Sequence, residues 1–149
     1  MLANLIEFGR NYIFWTSAAA WFIAQSLKMV LGVIREKRFN FKWFTSAGGM
    51  PSSHSAAVSA LATSIGVTYG FDSALFAITA TFTLIVLFDA QGVRLATGKQ
   101  ARILNNMLED IYWKKRLDED KLKEFIGHTP IEVWAGMFLG IVISLLFYR

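Results

Sequence analysis

The chain has no cysteine, which excludes disulfides and thiolate metal sites. It has only two prolines, no low-complexity tract and no internal repeat. The missing repeat argues against a transporter built from inverted halves. Histidine is equally scarce, with His54 and His128 alone in 149 residues. Charged residues make up 17% and are unevenly placed. What is abundant is apolar: 54% of residues are hydrophobic and the mean hydropathy is +0.42. Soluble domains are about 45–50% apolar, so composition alone decides little. Arrangement decides more, because the apolar residues gather in long runs and the charges lie between them.

The first run, Tyr12 to about Ile34, holds one charge, Lys28, and is long enough for the roughly 20 residues that cross a bilayer. A cleaved signal peptide is the rival reading, but the run is too long for a signal core and contains Gln25 and Lys28. A basic, aromatic loop follows over 35–45. Gly48-Gly49-Met50-Pro51-Ser52-Ser53-His54-Ser55 then carries helix-start signals. The second helix is expected from Ser52 to Tyr69. Its Ala, Ser and Thr content suits close packing between membrane helices, so it is expected at the centre. Gly70-Phe71-Asp72-Ser73 is a turn, and a third helix runs from Ser73 to Phe88 or beyond. Over 99–125, Ile103, Leu104, Met107, Leu108, Ile111 and Tyr112 recur at helical spacing among charges, which predicts an amphipathic helix outside the bilayer core. The last run, Ile131 to Tyr148, contains Gly136-x-x-x-Gly140, whose expected use is packing within the chain. The fold class is therefore all-α: a single domain over 1–149, an integral membrane bundle of about four helices plus a cytoplasmic amphipathic helix.

The net charge is +4 and the pI about 9.5. Nucleic-acid binding is one reading of a basic protein, but these bases flank apolar runs, and a positive membrane face explains them more simply. Arg10 and Arg149 stand near the ends. Arg35, Lys37, Arg38 and Lys42 follow the first run, and eight more bases lie between Arg94 and Lys123. By the positive-inside rule both basic loops face the cytoplasm, through the inner membrane if the source is bacterial. The second and fourth membrane helices then both begin on that face, with His54 and His128 beside their starts.

A helix start presents unpaired N–H groups and partial positive charge, and it binds phosphate readily. Two such ends, with Lys28, Arg35 and Arg94 as cations and Ser52, Ser53 and Ser55 as hydroxyl donors, describe an anion site. Histidine can serve as nucleophile or general acid near neutral pH. Lys28 and Arg35, seven residues apart, share one helix face. Plainer roles stand beside each of these. Ser52 suits an N-cap. Thr129-Pro130-Ile131-Glu132 fits a capping box that makes Glu132 structural. Lys28 can snorkel to the interface, and interfacial histidines are often only solvated. Asp89, near a helix end, is a candidate partner for Lys28, Arg94 or a histidine. No acidic cluster argues for a metal.

At these residues the sequence resembles the superfamily of type 2 phosphatidic acid phosphatases and vanadium haloperoxidases. Lys28-x6-Arg35 matches its first motif, with Glu36 where proline is usual. Pro51-Ser52-Ser53-His54 matches its second, with Ser53 replacing glycine. His128-x3-Glu132 resembles the end of its third, with glutamate for aspartate. The strings around them, with Asp89-Ala90-Gln91-Gly92-Val93-Arg94, look like a divergent branch of that superfamily. The resemblance implies hydrolysis of a phosphomonoester, in a membrane a lipid phosphate, without metal or other cofactor. It implies attack by His128 to give a phosphohistidine, orientation of His128 by Glu132, and protonation of the leaving alkoxide by His54. Lys28, Arg35, Arg94, Ser52 and Ser53 would hold the phosphoryl oxygens. Arg94 stands far ahead of His128, where the parent motif sets its arginine close by, so Arg102 is a rival. The parent phosphatases have more membrane helices than this chain offers, so either a homodimer completes the core or the branch is smaller. The competing function is non-catalytic: a pseudoenzyme that binds phosphorylated headgroups with the same cations. Haloperoxidase activity has no separate support.

Overall fold

The structure is a computed structural model and describes residues 1–37, 49–92, 97–98, 100–105, 107 and 128–148. Its helices are α1 (Leu2–Gly9), α2 (Tyr12–Glu36), α3 (Ser53–Tyr69), α4 (Ala74–Gln91) and α5 (Pro130–Phe147), and there is no strand among the described residues. Residues 100–105 are also helical, at the start of the expected amphipathic helix. The remainder of that helix beyond 107, most of the basic loop and Arg94 lie outside the described residues.

The helix starts are written in the residues just ahead of them. Asn11, Ser73 and Thr129 each accept a backbone N–H three residues on, at 3.0, 3.2 and 3.4 Å. Ser52 does the same for Ser55, at 3.4 Å. Each satisfies a donor that the first helical turn leaves without a partner. The chain leaves α2 through Lys37, at a left-handed φ of 53°, and α3 through Gly70, at φ 91°.

Among the described residues three helices are long and apolar enough to cross a membrane: Tyr12–Arg35, Ala74–Gln91 and Pro130–Phe147. The fourth expected span, α3, has 17 residues and a rise of about 26 Å, at the short end of what crosses. It is the centre of the bundle and touches α2, α4 and α5, whereas α4 meets α5 only sparsely.

Burial is inverted relative to a water-soluble domain. Ala20, Ala24, Ala56 and Ala60 are fully buried, while Phe88, Ile131 and Phe138 are about 70% exposed. Lipid solvates a large apolar side chain as well as another helix does, so such residues gain little by turning inward. Close packing of small residues and interhelical hydrogen bonds bring membrane helices together instead. Both devices converge on α3. Ser17 of α2 donates to the Ala57 carbonyl (2.9 Å), Thr83 of α4 donates to the Val58 carbonyl (3.0 Å), and Ser64 pairs with Ser144 of α5 (2.9 Å). Each neighbour is thus tied to α3 by a hydroxyl. A Ser64→Ala, Ser144→Ala double-mutant cycle, read by thermal unfolding in detergent, should give a coupling of about 0.6 kcal/mol. Strict additivity would show that this pair contributes nothing.

Gly136 and Gly140 set how closely α3 and α5 approach. A Cβ on Gly136 would collide with the Ser52 carbonyl, and one on Gly140 with the Ala56 carbonyl. With Ser144 opposite Ser64, these contacts make α3 and α5 parallel. The small-residue motif therefore serves packing within the chain, as expected. The end of α4 arrives at the same level, where Leu87 and Ala90 pack on Val133. The short helix α1 was not expected from the sequence. It is held by Phe8, whose ring lies 4.8 Å from Phe14 and 5.7 Å from Trp15.

Candidate active site

Parallel packing of α3 and α5 puts their N-termini side by side. A backbone bond locks the two together: the Ser52 N–H donates to the Glu132 carbonyl at 3.0 Å. The Pro51–Ser55 segment and the His128–Glu132 segment are thereby one unit, although the two histidines stand 74 positions apart in sequence.

His128 precedes α5 and is 4% exposed. Its Nδ1 lies 3.4 Å from Glu132 Oε2, one helical turn along. The same carboxylate oxygen accepts the Thr129 N–H at 2.9 Å, while the Glu132 N–H reaches Thr129 Oγ1. The oxygen that serves the cap is thus also the one nearest the imidazole. Burial pushes the His128 pKa below its ordinary value. The Glu132 carboxylate pulls it back up, and the charges of Lys28 and His54 push it down again. Burial dominates, so the net shift is downward and favours the neutral imidazole. A proton on Nδ1, the nitrogen nearer Glu132, would leave the lone pair on Nε2.

Lys28 is buried inside the bundle, 7% exposed, rather than spread along the lipid face. Its aliphatic stem passes beside Gly49, where a Cβ would sit 3.3 Å from Cγ and Cδ. Gly49 has φ +90°, so it serves the loop twice, by its backbone conformation and by leaving room for Lys28. The Lys28 ammonium and Glu132 carboxylate attract each other across the site. Lys28, His54, His128 and Glu132 therefore form one electrostatic group.

His54, in the first turn of α3, is exposed, whereas Ser52, Ser53 and Ser55 around it are buried. Ser52 is the N-cap of α3, and its Oγ also accepts the Ser55 hydroxyl at 2.9 Å. Its own hydroxyl proton remains available to donate, so capping does not exclude a contact with an anion. Arg35 is exposed in the last turn of α2, on the Lys28 face. Asp89 is half-buried beside Ala90, at the same end of the bundle. Arg102 is exposed on the 100–105 helical stretch. Among the described residues no three metal-ligating side chains cluster. Sequence reasoning gave no role to Thr129 beyond the cap or to Gly49.

The fold and this end of it define a class: a helical integral membrane protein with a histidine–carboxylate pair and a buried lysine at two paired helix starts. The chain belongs to the divergent PAP2 family, whose sequence pattern matches residues 9–143. It is similar to the uncharacterized membrane protein YuiD of Bacillus subtilis, at 40% identity over 151 residues, covering 94% of this chain and 96% of that one. No solved structure matches it.

Proposed function

We propose that the protein is a membrane phosphatase that hydrolyses a phosphomonoester, a lipid phosphate, through a phosphohistidine. The observation that carries this reading is the buried His128 with its Nδ1 3.4 Å from Glu132, at the joined starts of α3 and α5. Nε2 attacks phosphorus as the bond to the ester oxygen breaks, and protonated His54 gives its proton to the leaving alkoxide. Water, deprotonated by His54, then attacks the phosphohistidine. The P–N bond breaks, inorganic phosphate leaves and both histidines are restored. Lys28, Arg35, Arg94 and the helix N–H groups hold the phosphoryl oxygens, with Ser52 and Ser53 assisting. Catalysis of this kind is chiefly positioning and charge stabilisation. The positive-inside rule, applied to the basic loops, supports a site that faces the cytoplasm.

Glu132→Gln separates orientation from capping. Glutamine still offers an oxygen to the Thr129 N–H but lacks the charge that steadies the imidazole. We expect near-normal thermal stability with kcat lower by about 10²-fold or more. Because neutral His128 is the reactive form, the wild-type rate should hold as pH falls past 6.5 and drop only below it. In Glu132→Gln the drop should move to still lower pH, since the carboxylate that raises the His128 pKa is gone. Normal kcat with lost stability would leave Glu132 a cap alone.

A further inference from the structure

An apolar cleft of about 340 Å³ runs between α2 and α5, lined by Leu27, Met50, Pro51, Ala135, Phe138 and Val142 among others. It opens to the side, where Leu27, Met50 and Phe138 are 41%, 45% and 69% exposed. Each wall borders the site along the chain. Leu27 precedes Lys28, Pro51 precedes Ser52, and Ala135 precedes Gly136, on which the Ser52 carbonyl rests. From Ala135 to Val142 the helix rises about 10 Å, most of one leaflet of a roughly 30 Å hydrocarbon core.

We propose that this cleft receives one hydrocarbon chain of the phosphate-bearing substrate, which reaches His128 sideways from the bilayer. The proposal rests on the phosphatase reading and adds to it where the lipid lies. The occupant follows from the chemistry at the two ends. A molecule spanning both must be anionic at Lys28 and His128 and apolar from Pro51 to Val142, which describes a lipid phosphate and not a soluble ester. Transfer of a chain from lipid to cleft brings no hydrophobic gain. What the cleft supplies is position: it lets the chain lie within the bundle outline, so that the headgroup reaches a buried histidine. Two other cavities fit less well. One of about 160 Å³ between α4 and α5 has less than half the volume, and one of about 610 Å³ near Arg10, Tyr69 and Tyr148 lies at the far end of the bundle.

The test has two arms. In the first, Ala135→Trp fills the cleft, and kcat/KM is measured for dioleoyl phosphatidic acid and for para-nitrophenyl phosphate. The ratio of lipid to soluble ester should fall about tenfold or more, because displacing a bound substrate from its reactive position is costly. An unchanged ratio overturns the proposal. In the second, the wild-type protein is irradiated with a phosphatidic acid carrying a diazirine in its chain, and adducts are mapped. Adducts on Leu27, Phe138 and Val142, suppressed by unlabelled phosphatidic acid but not by diacylglycerol, support the cleft. Adducts on the α4–α5 side, or suppressed equally by both lipids, refute it. If wild-type protein hydrolyses neither ester, the phosphatase reading fails, and the adducts alone decide whether the cleft holds a lipid phosphate.

Discussion

His128→Ala should lower phosphate release by on the order of 10⁴-fold or more, because in the proposed mechanism it removes the attacking atom itself. The protein should remain folded in detergent. The substitution deletes a side chain with one close polar contact, to Glu132, and leaves the Thr129–Glu132 cap in place. Phosphate release and thermal unfolding on the same preparation separate lost chemistry from lost fold. His54→Asn is a useful companion. The loss should be smaller for an ester with a good leaving group, which needs no proton, than for an alkyl ester. Equal losses on both esters would remove the acid role from His54.

The second large effect is expected on stability. In Gly140→Val the added side chain would meet the backbone carbonyl of Ala56, which is fixed in α3 and cannot turn aside. The two helices must separate, so the Ser64–Ser144 hydrogen bond is weakened as well. Overpacking at such a contact costs about 1–3 kcal/mol, and a clear drop in the unfolding midpoint in detergent is the expected reading. Gly136→Ala acts nearer the chemistry, because it presses on the Ser52 carbonyl and so disturbs the unit that Ser52 forms with Glu132. Activity should fall further there than stability does. A Gly140→Val protein as stable as the wild type would mean that α3 and α5 do not pack in this register.

Much of the fold was legible because membrane helices announce themselves by length and apolarity. Tyr12, Tyr69 and Phe88 mark ends that agree with the structure to within a few residues, since Asn11, Ser52, Ser73 and Thr129 are side chains of the capping type. The central place of α3 was legible from its small residues. α1 was not, because eight residues after an uncapped Met1 form a helix only with help from Phe14 and Trp15. The candidate site was half legible. His128 and Glu132 stand four residues apart, a spacing that reads as one helix face, and the positive-inside count brought both histidines to one side. That Glu132 Oε2 accepts the cap N–H and also lies 3.4 Å from the imidazole was hidden, since either use alone explains the residue. Also hidden were the Ser52–Glu132 link and the seat of Lys28 on Gly49. Both depend on the pairing of helices far apart in sequence, which no local pattern encodes.

The most direct measurement is a trapping experiment. Purified protein in detergent is mixed with a lipid phosphate, quenched in alkali to preserve a phosphoramidate, and digested for mass spectrometry, with inorganic phosphate counted in the same sample. The account expects phosphate release together with phosphate on the peptide that contains His128. Release with the label on another residue, or no release from folded protein across phosphatidic acid, phosphatidylglycerophosphate and an isoprenyl phosphate, would contradict it.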